Sequence, residues 1–185
     1  MKNKSILGIY SYEGCNLRSL ENALKILNIN YEISNIFEDL IKFNKIIFPG
    51  VGNMKNIKSD KMRKLSKETI NYSNNGGIIY GICLGLQMFF EYSKESEANT
   101  LGLIKGNSVP IKENYKLKLN VNFNKLEINK NHLNNKIIKN LFEDISYDSK
   151  FYFLHRYYCE NKDKDSLVIN SKLDNNLLPS VFIKK

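Results

Sequence analysis

The chain is poor in histidine, cysteine, arginine and alanine: two, three, three and two among 185 residues. The cysteines, Cys15, Cys83 and Cys159, are odd in number and contain no CxxC pair. That disfavours a disulfide framework and points to a reducing cytoplasm. His132 and His155 lie far apart, each without a Cys or acidic cluster nearby, so a zinc site is not expected and no cofactor is called for. Long hydrophobic runs are missing too. The segments Ile78–Tyr80 and Leu86–Phe90 fall far short of the ~20 apolar residues of a membrane span. Met1-Lys2-Asn3-Lys4 opens like a signal peptide, but Ile6–Tyr10 is too short for its apolar region and no small-residue cleavage site follows. Neither secretion nor membrane insertion is expected.

What is abundant is lysine, asparagine and isoleucine. Lys and Arg total 28 against 19 acidic residues, a net charge of +9. A basic chain raises the question of a polyanion partner. Here the charge is spread along the whole length. Even the densest stretch, Lys55–Lys67 with five lysines and Arg63, lacks interleaved aromatics. The bias resembles drift in an A+T-rich genome, and a solvated lysine surface explains it better than nucleic-acid binding. Apolar residues at 42% and charged residues at 25% give a globular profile, long enough for one domain spanning 1–185.

Strand and helix signals alternate through the first half. Ile6–Tyr10 reads as a buried strand, and Leu17, Leu20, Ala23, Leu24 and Leu27 share a helical face. Short strands follow at Tyr31–Ile33 and Lys45–Phe48, then a helix near Ser59–Tyr72 closed by Asn74-Asn75-Gly76-Gly77. Ile78–Ile82 is a fourth strand, with an amphipathic helix expected over Leu84–Tyr92. This alternation predicts an α/β fold: a three-layer, doubly wound, mostly parallel sheet. After Gly102 the pattern changes to short strands at Lys116–Val121, Phe151–Tyr158, Ser166–Ile169 and Ser180–Ile183, with a helix near Lys136–Phe142.

The sharpest feature is Gly81-Ile82-Cys83-Leu84-Gly85 between a buried strand and a helix. A nucleophile on such a turn is pushed out at the carboxyl edge of the sheet, and flanking glycines remove Cβ atoms that would collide there. A helix N-terminus behind Cys83 would favour its thiolate, the reactive form. A buried cysteine in an ordinary glycine-rich turn is the plainer alternative; the strand–turn–helix context favours the nucleophile. Phe48-Pro49-Gly50-Val51-Gly52 ends the preceding strand and could offer backbone N–H groups beside Cys83. His155, after an apolar run, reads better as a satisfied strand-end histidine than as a base.

Asn16-Leu17-Arg18-Ser19, Phe48-Pro49-Gly50-Val51-Gly52, Gly81-Ile82-Cys83-Leu84-Gly85-Leu86-Gln87 and Phe151-Tyr152-Phe153-Leu154-His155 occur in that order. Together the four segments resemble the class I (triad-type) glutamine amidotransferases, and within them the glutaminase subunits of imidazole glycerol phosphate synthase in histidine biosynthesis. The resemblance covers nearly the whole chain, and Thr100-Leu101-Gly102-Leu103-Ile104 fits loosely. It implies glutamine as substrate, Cys83 as nucleophile, and Val51 and Leu84 as oxyanion-hole amides. It also implies Gly50, Gly52, Gln87 and Tyr157 as substrate contacts, with a (β/α)₈ barrel synthase as heterodimer partner that receives the ammonia. Glutaminase subunits for amino-sugar or surface-polysaccharide synthesis look much alike, and a non-catalytic scaffolding subunit is a further alternative.

The chain departs from the family pattern in three places. Asn122 stands where the family usually has Gly, and Arg156 where it has Ser or Thr. The sequence ends at Ser180-Val181-Phe182-Ile183-Lys184-Lys185, before the late segment that holds the family's catalytic His and Glu. From this resemblance a shortened member with impaired glutaminase activity and an open sheet edge near Phe182 is expected.

Overall fold

The apolar runs expected as strands pair side by side in the computed structural model, which describes residues 6–51, 59–112, 117–129, 132, 134–146 and 148–184. The chain groups into two units, 1–107 and 108–185. In the first, β1 (Ile6–Tyr10), β2 (Asn30–Ser34), β3 (Lys45–Phe48) and β4 (Ile78–Gly81) form a sheet in the order β2-β1-β3-β4. Each neighbouring pair is parallel. The chain winds outward from β1 in both directions, so right-handed crossovers place the connecting helices on opposite faces.

The side chains agree with that winding. Helix α1 (Arg18–Ile26) lies on the Ile9 face, where Glu21 accepts a 2.9 Å hydrogen bond from the Tyr31 hydroxyl of β2. Helix α2 (Ser59–Asn74) and a 3-10 turn at Phe37–Asp39 cover the opposite face. There Tyr10, Phe37, Phe48, Tyr72 and Phe89 form an aromatic cluster with centroid distances of 5.1–6.1 Å. The Tyr72 hydroxyl donates to the Phe43 carbonyl at 2.7 Å, tying α2 to the segment before β3. The buried stripe of α1 is narrower than its sequence suggests. Leu17 and Leu20 are half-buried and Leu24 fully so, but Ala23 and Leu27 face solvent.

The helix expected over Leu84–Tyr92 is instead a single turn, α3 (Leu84–Gln87). Tertiary competition ends it. The carbonyls of Met88, Phe89 and Phe90 accept hydrogen bonds from the N–H groups of Leu101, Ile104 and Gly102, at 2.8 Å each, rather than from donors four residues on. The chain then makes a small hairpin from β5 (Tyr92–Ser93) and β6 (Ala98–Asn99), which the sequence did not suggest.

Strand β7 (Gly106–Pro110) crosses into the second unit, and β8 (Asn120–Glu127), β9 (Lys150–His155), β10 (Tyr157–Asn161), β11 (Leu167–Leu173) and β12 (Asn176–Ile183) follow. Four of them form an antiparallel sheet in the order β12-β11-β8-β9. Pairing in β8 starts at Asn120, later than expected; Lys116 lies outside the described residues. The single run expected over Phe151–Tyr158 breaks at Arg156 into two strands. β12 starts four residues before the expected Ser180, because Asp174, at φ 52°, turns the chain tightly back from β11. Pro179 cannot donate to the ladder, and next to it the register slips, leaving Ser180 as a bulge. Helix α4 (Lys136–Leu141) is capped by Asn135, whose side chain accepts from the Ile137 N–H at 2.9 Å. Val109, Ile111, Tyr158, Leu173 and Leu178 pack as the core of this unit. One face of β8–β9 stays open: Val121 pairs with Leu154 and Phe123 with Tyr152, all four exposed.

Phe48 has no exposed surface and touches Tyr10, Phe37 and Phe89. Phe48→Ala should therefore cost about 3–5 kcal/mol, read as a lower urea midpoint at unchanged slope.

Candidate active site

Cys83 follows β4 directly and adopts φ 48°, ψ −104°, a backbone conformation that non-glycine residues avoid. Strain of this kind persists only where surrounding structure enforces it. Two glycines enforce it here. A Cβ on Gly85 would lie 2.3 Å from the Phe48 carbonyl oxygen, and one on Gly81 would lie 2.6 Å from the Phe89 ring and 2.7 Å from the Leu86 backbone. Only glycine lets the turn close so tightly, at Gly85 against the end of β3 and at Gly81 against Leu86 and Phe89. Hydrogen bonds complete the attachment: the Ile82 N–H donates to the Phe48 carbonyl (3.0 Å) and the Gly85 N–H to the Pro49 carbonyl (3.1 Å).

The residues expected to form the oxyanion hole meet at this junction. Gly50 packs so closely that a Cβ would sit 2.9 Å from the Ile82 carbonyl oxygen and 3.2 Å from Cys83 Cβ. Its own carbonyl accepts from the Leu84 N–H at 3.3 Å. In a trans peptide the C=O and N–H point in opposite directions, so the Val51 N–H is aimed away from Leu84. The free N–H groups expected at the end of β3 are therefore not presented together in this conformation. Gln87 is buried in α3, its backbone N–H bonded to the Cys83 carbonyl at 3.0 Å. Gly52 lies outside the described residues.

A further residue reaches the junction from β1. Tyr12 is buried, and its hydroxyl donates to the Pro49 carbonyl at 2.8 Å. Gly14, at φ 79°, closes the following turn, in which the Cys15 N–H bonds to the Tyr12 carbonyl at 3.0 Å. Burial, reinforced by the nearby Cys15 and Cys83 thiols, drives the Tyr12 phenol far above its ordinary pKa, so it remains a donor. The only pointer to it in the sequence is its place just past β1, beside the strand that carries Pro49.

Cys83 is exposed, yet the surrounding protein mass still pushes its thiol pKa up. A hydrogen bond from the Leu84 backbone opposes the shift and the Glu95 carboxylate adds to it. The expected lowering by a helix dipole does not prevail, because a one-turn helix carries little macrodipole.

Both histidines belong to the second unit. His155 Nδ1 lies 2.9 Å from the Tyr157 carbonyl, which can only accept, so Nδ1 carries the proton. Nε2 then accepts from the Asn120 side-chain amide at 3.1 Å. With both ring nitrogens engaged, His155 is a structural residue, and burial lowers its pKa. Tyr157 is half-buried in β10, Asn122 is exposed, and exposed Arg156 marks the break between β9 and β10. Among the described residues no group of three His, Cys, Asp or Glu side chains could hold a metal ion, and no helix is long and apolar enough to cross a membrane.

The profile of the family described as "Glutamine amidotransferase class-I" matches residues 15–182. The chain belongs to this family. Among its curated relatives is the imidazole glycerol phosphate synthase subunit HisH of Methanocaldococcus jannaschii, 37% identical over 169 residues, covering 88% of this chain and 78% of that protein. Another is subunit HisH 1 of Campylobacter jejuni subsp. jejuni serotype O:23/36 (strain 81-176), 34% identical, covering 86% and 78%. Two solved structures share this chain's fold. One, described as a glutamine amidotransferase, has a TM-score of 0.67 at 16% identity and covers 97% of this chain and 85% of its own. PurLQS from Thermotoga maritima also scores 0.67, at 20% identity over 96% and 87%.

Two titrations probe this amidotransferase. Iodoacetamide labelling of Cys83, followed by mass spectrometry, should rise with pH through a midpoint above that of an ordinary thiol, and Glu95→Gln should lower that midpoint. His155 behaves oppositely to a salt-bridged histidine. Its folded pKa lies below the unfolded value near ~6.5, so the unfolded chain binds its proton first and stability falls as pH drops through that value. Urea midpoints from pH 8 to 5 should show this decline, and His155→Gln should flatten it.

Proposed function

We propose that this chain is the glutaminase subunit of imidazole glycerol phosphate synthase, acting in the cytoplasm in histidine biosynthesis as one amidotransferase domain over 1–185. It hydrolyses glutamine to glutamate and supplies ammonia to a (β/α)₈ barrel synthase subunit, its heterodimer partner. The observation that carries the proposal is the strained Cys83 turn, closed by Gly85 against the end of β3 and by Gly81 against Leu86 and Phe89, in a chain 37% identical to a HisH subunit.

The Cys83 thiolate attacks the side-chain amide carbon of glutamine. A C–S bond forms and the carbonyl electrons move to oxygen, giving a tetrahedral oxyanion. Collapse breaks the C–N bond, the departing nitrogen takes a proton from water and leaves as ammonia, and the resulting hydroxide cleaves the thioester to glutamate, releasing the Cys83 thiolate. Leu84 N–H and Val51 N–H are the proposed oxyanion donors, with Gly50, Gly52, Gln87 and Tyr157 as substrate contacts. In the conformation described, the Gly50 carbonyl occupies Leu84 N–H. Turning over the Gly50–Val51 peptide would remove that carbonyl and aim the Val51 N–H at the same point. Oxyanion donors of this kind are worth about 10²–10³ in kcat. No residue of this chain is assigned as the base that takes the thiol proton.

The test is glutamate and ammonia release by the purified chain together with the barrel subunit. Activity should be abolished by Cys83→Ala. Activity that survives this substitution overturns the role of Cys83. A folded chain that binds the barrel subunit without releasing ammonia overturns the glutaminase role and leaves a docking subunit.

A further inference from the structure

The Pro49 carbonyl accepts two hydrogen bonds from different parts of the first unit. The Gly85 N–H reaches it from the turn after Cys83 (3.1 Å), and the Tyr12 hydroxyl reaches it from the end of β1 (2.8 Å). Gly50, the next residue, lies against Ile82 and Cys83 so tightly that no Cβ fits. Pro49 is thus the last fixed point before the peptide that carries the Gly50 carbonyl and the Val51 N–H. Turning that peptide over requires opposed changes at Gly50 ψ and Val51 φ, and leaves the Pro49 carbonyl in place. Either orientation of that peptide would rest on the same anchor.

We propose that Tyr12 is a positioning residue for oxyanion stabilisation at Cys83, its hydroxyl holding the Pro49 carbonyl so that the Gly50–Val51 peptide sits in register with the nucleophile. The proposal rests on Cys83 being an acyl-forming nucleophile, and deepens that reading. Tyr12 touches neither substrate nor thiol chemistry in this role. It acts through the backbone of residues 49–51, and small displacements there matter because oxyanion donors work over only ~2.7–3.1 Å. Its burial keeps the hydroxyl protonated and directed at one acceptor.

The experiment compares two reactions of Cys83 in the full chain and in Tyr12→Phe, followed on the Cys83 peptide by mass spectrometry. In acylation by p-nitrophenyl acetate the thiolate adds to the ester carbonyl, a C–S bond forms, the oxyanion develops, and p-nitrophenolate leaves as the C–O bond breaks. Its activated leaving group needs no general acid. Alkylation by iodoacetamide displaces iodide at carbon and develops no oxyanion. Both consume thiolate, so a changed thiol pKa moves them together. Tyr12→Phe should fold, since the Pro49 carbonyl keeps its bond from Gly85. It should lower acylation about fivefold, the equivalent of one hydrogen bond of about 1 kcal/mol, and leave alkylation within about twofold. An unchanged ratio of the two rates, or a parallel fall in both, overturns the role of Tyr12 alone. Wild-type Cys83 that alkylates normally but is not acylated overturns the reading of Cys83 and this proposal with it.

Discussion

The junction between the end of β3 and the turn after β4 is the constraint from which the candidate site follows. Phe48 and Pro49 present consecutive carbonyls, and Ile82 and Gly85 meet them with N–H groups at 3.0 and 3.1 Å. These contacts continue the parallel pairing of β3 with β4 beyond the last strand residues. They leave no room for a side chain at Gly85, the Phe89 ring and the Leu86 backbone leave none at Gly81, and Cys83 between the two glycines adopts positive φ. The aromatic cluster under Phe48 holds the strand end from below. A strained cysteine is costly, at roughly 1–3 kcal/mol, and it is tolerated because a buried, hydrogen-bonded frame surrounds it.

The same junction sets which backbone groups the turn presents. The Gly50–Val51 peptide presents its carbonyl, not its N–H, toward Leu84. The thiol is correspondingly held above its ordinary pKa, with Glu95 adding to the effect of burial.

Much of the first unit was legible in the sequence because its signals are local. Apolar runs of four or five residues marked β1, β3 and β4, and turn residues marked the end of α2. The Gly-x-Cys-x-Gly spacing located the elbow because steric exclusion of a Cβ acts within a few residues. Where the reading failed, distant partners decided. The helix after Cys83 stops at Gln87 because residues 101–104 take the carbonyls of Met88–Phe90. The expected dipole effect on Cys83 failed with it. The run Phe151–Tyr158 looked like one strand, and no local residue signalled the break at Arg156.

By itself the sequence determined which residues could be nucleophile, turn and core, since glycine spacing, apolar period and residue chemistry are properties of neighbours along the chain. It also placed this chain among the amidotransferases through four short segments. Tertiary structure decided the state of the site. The orientation of one peptide, the direction of the Cys83 pKa shift, the occupied ring nitrogens of His155 and the Tyr12–Pro49 bond each depend on groups brought together from separate strands. Hydrogen-bond direction and desolvation are set by those three-dimensional neighbours, and no local pattern in the chain encodes them.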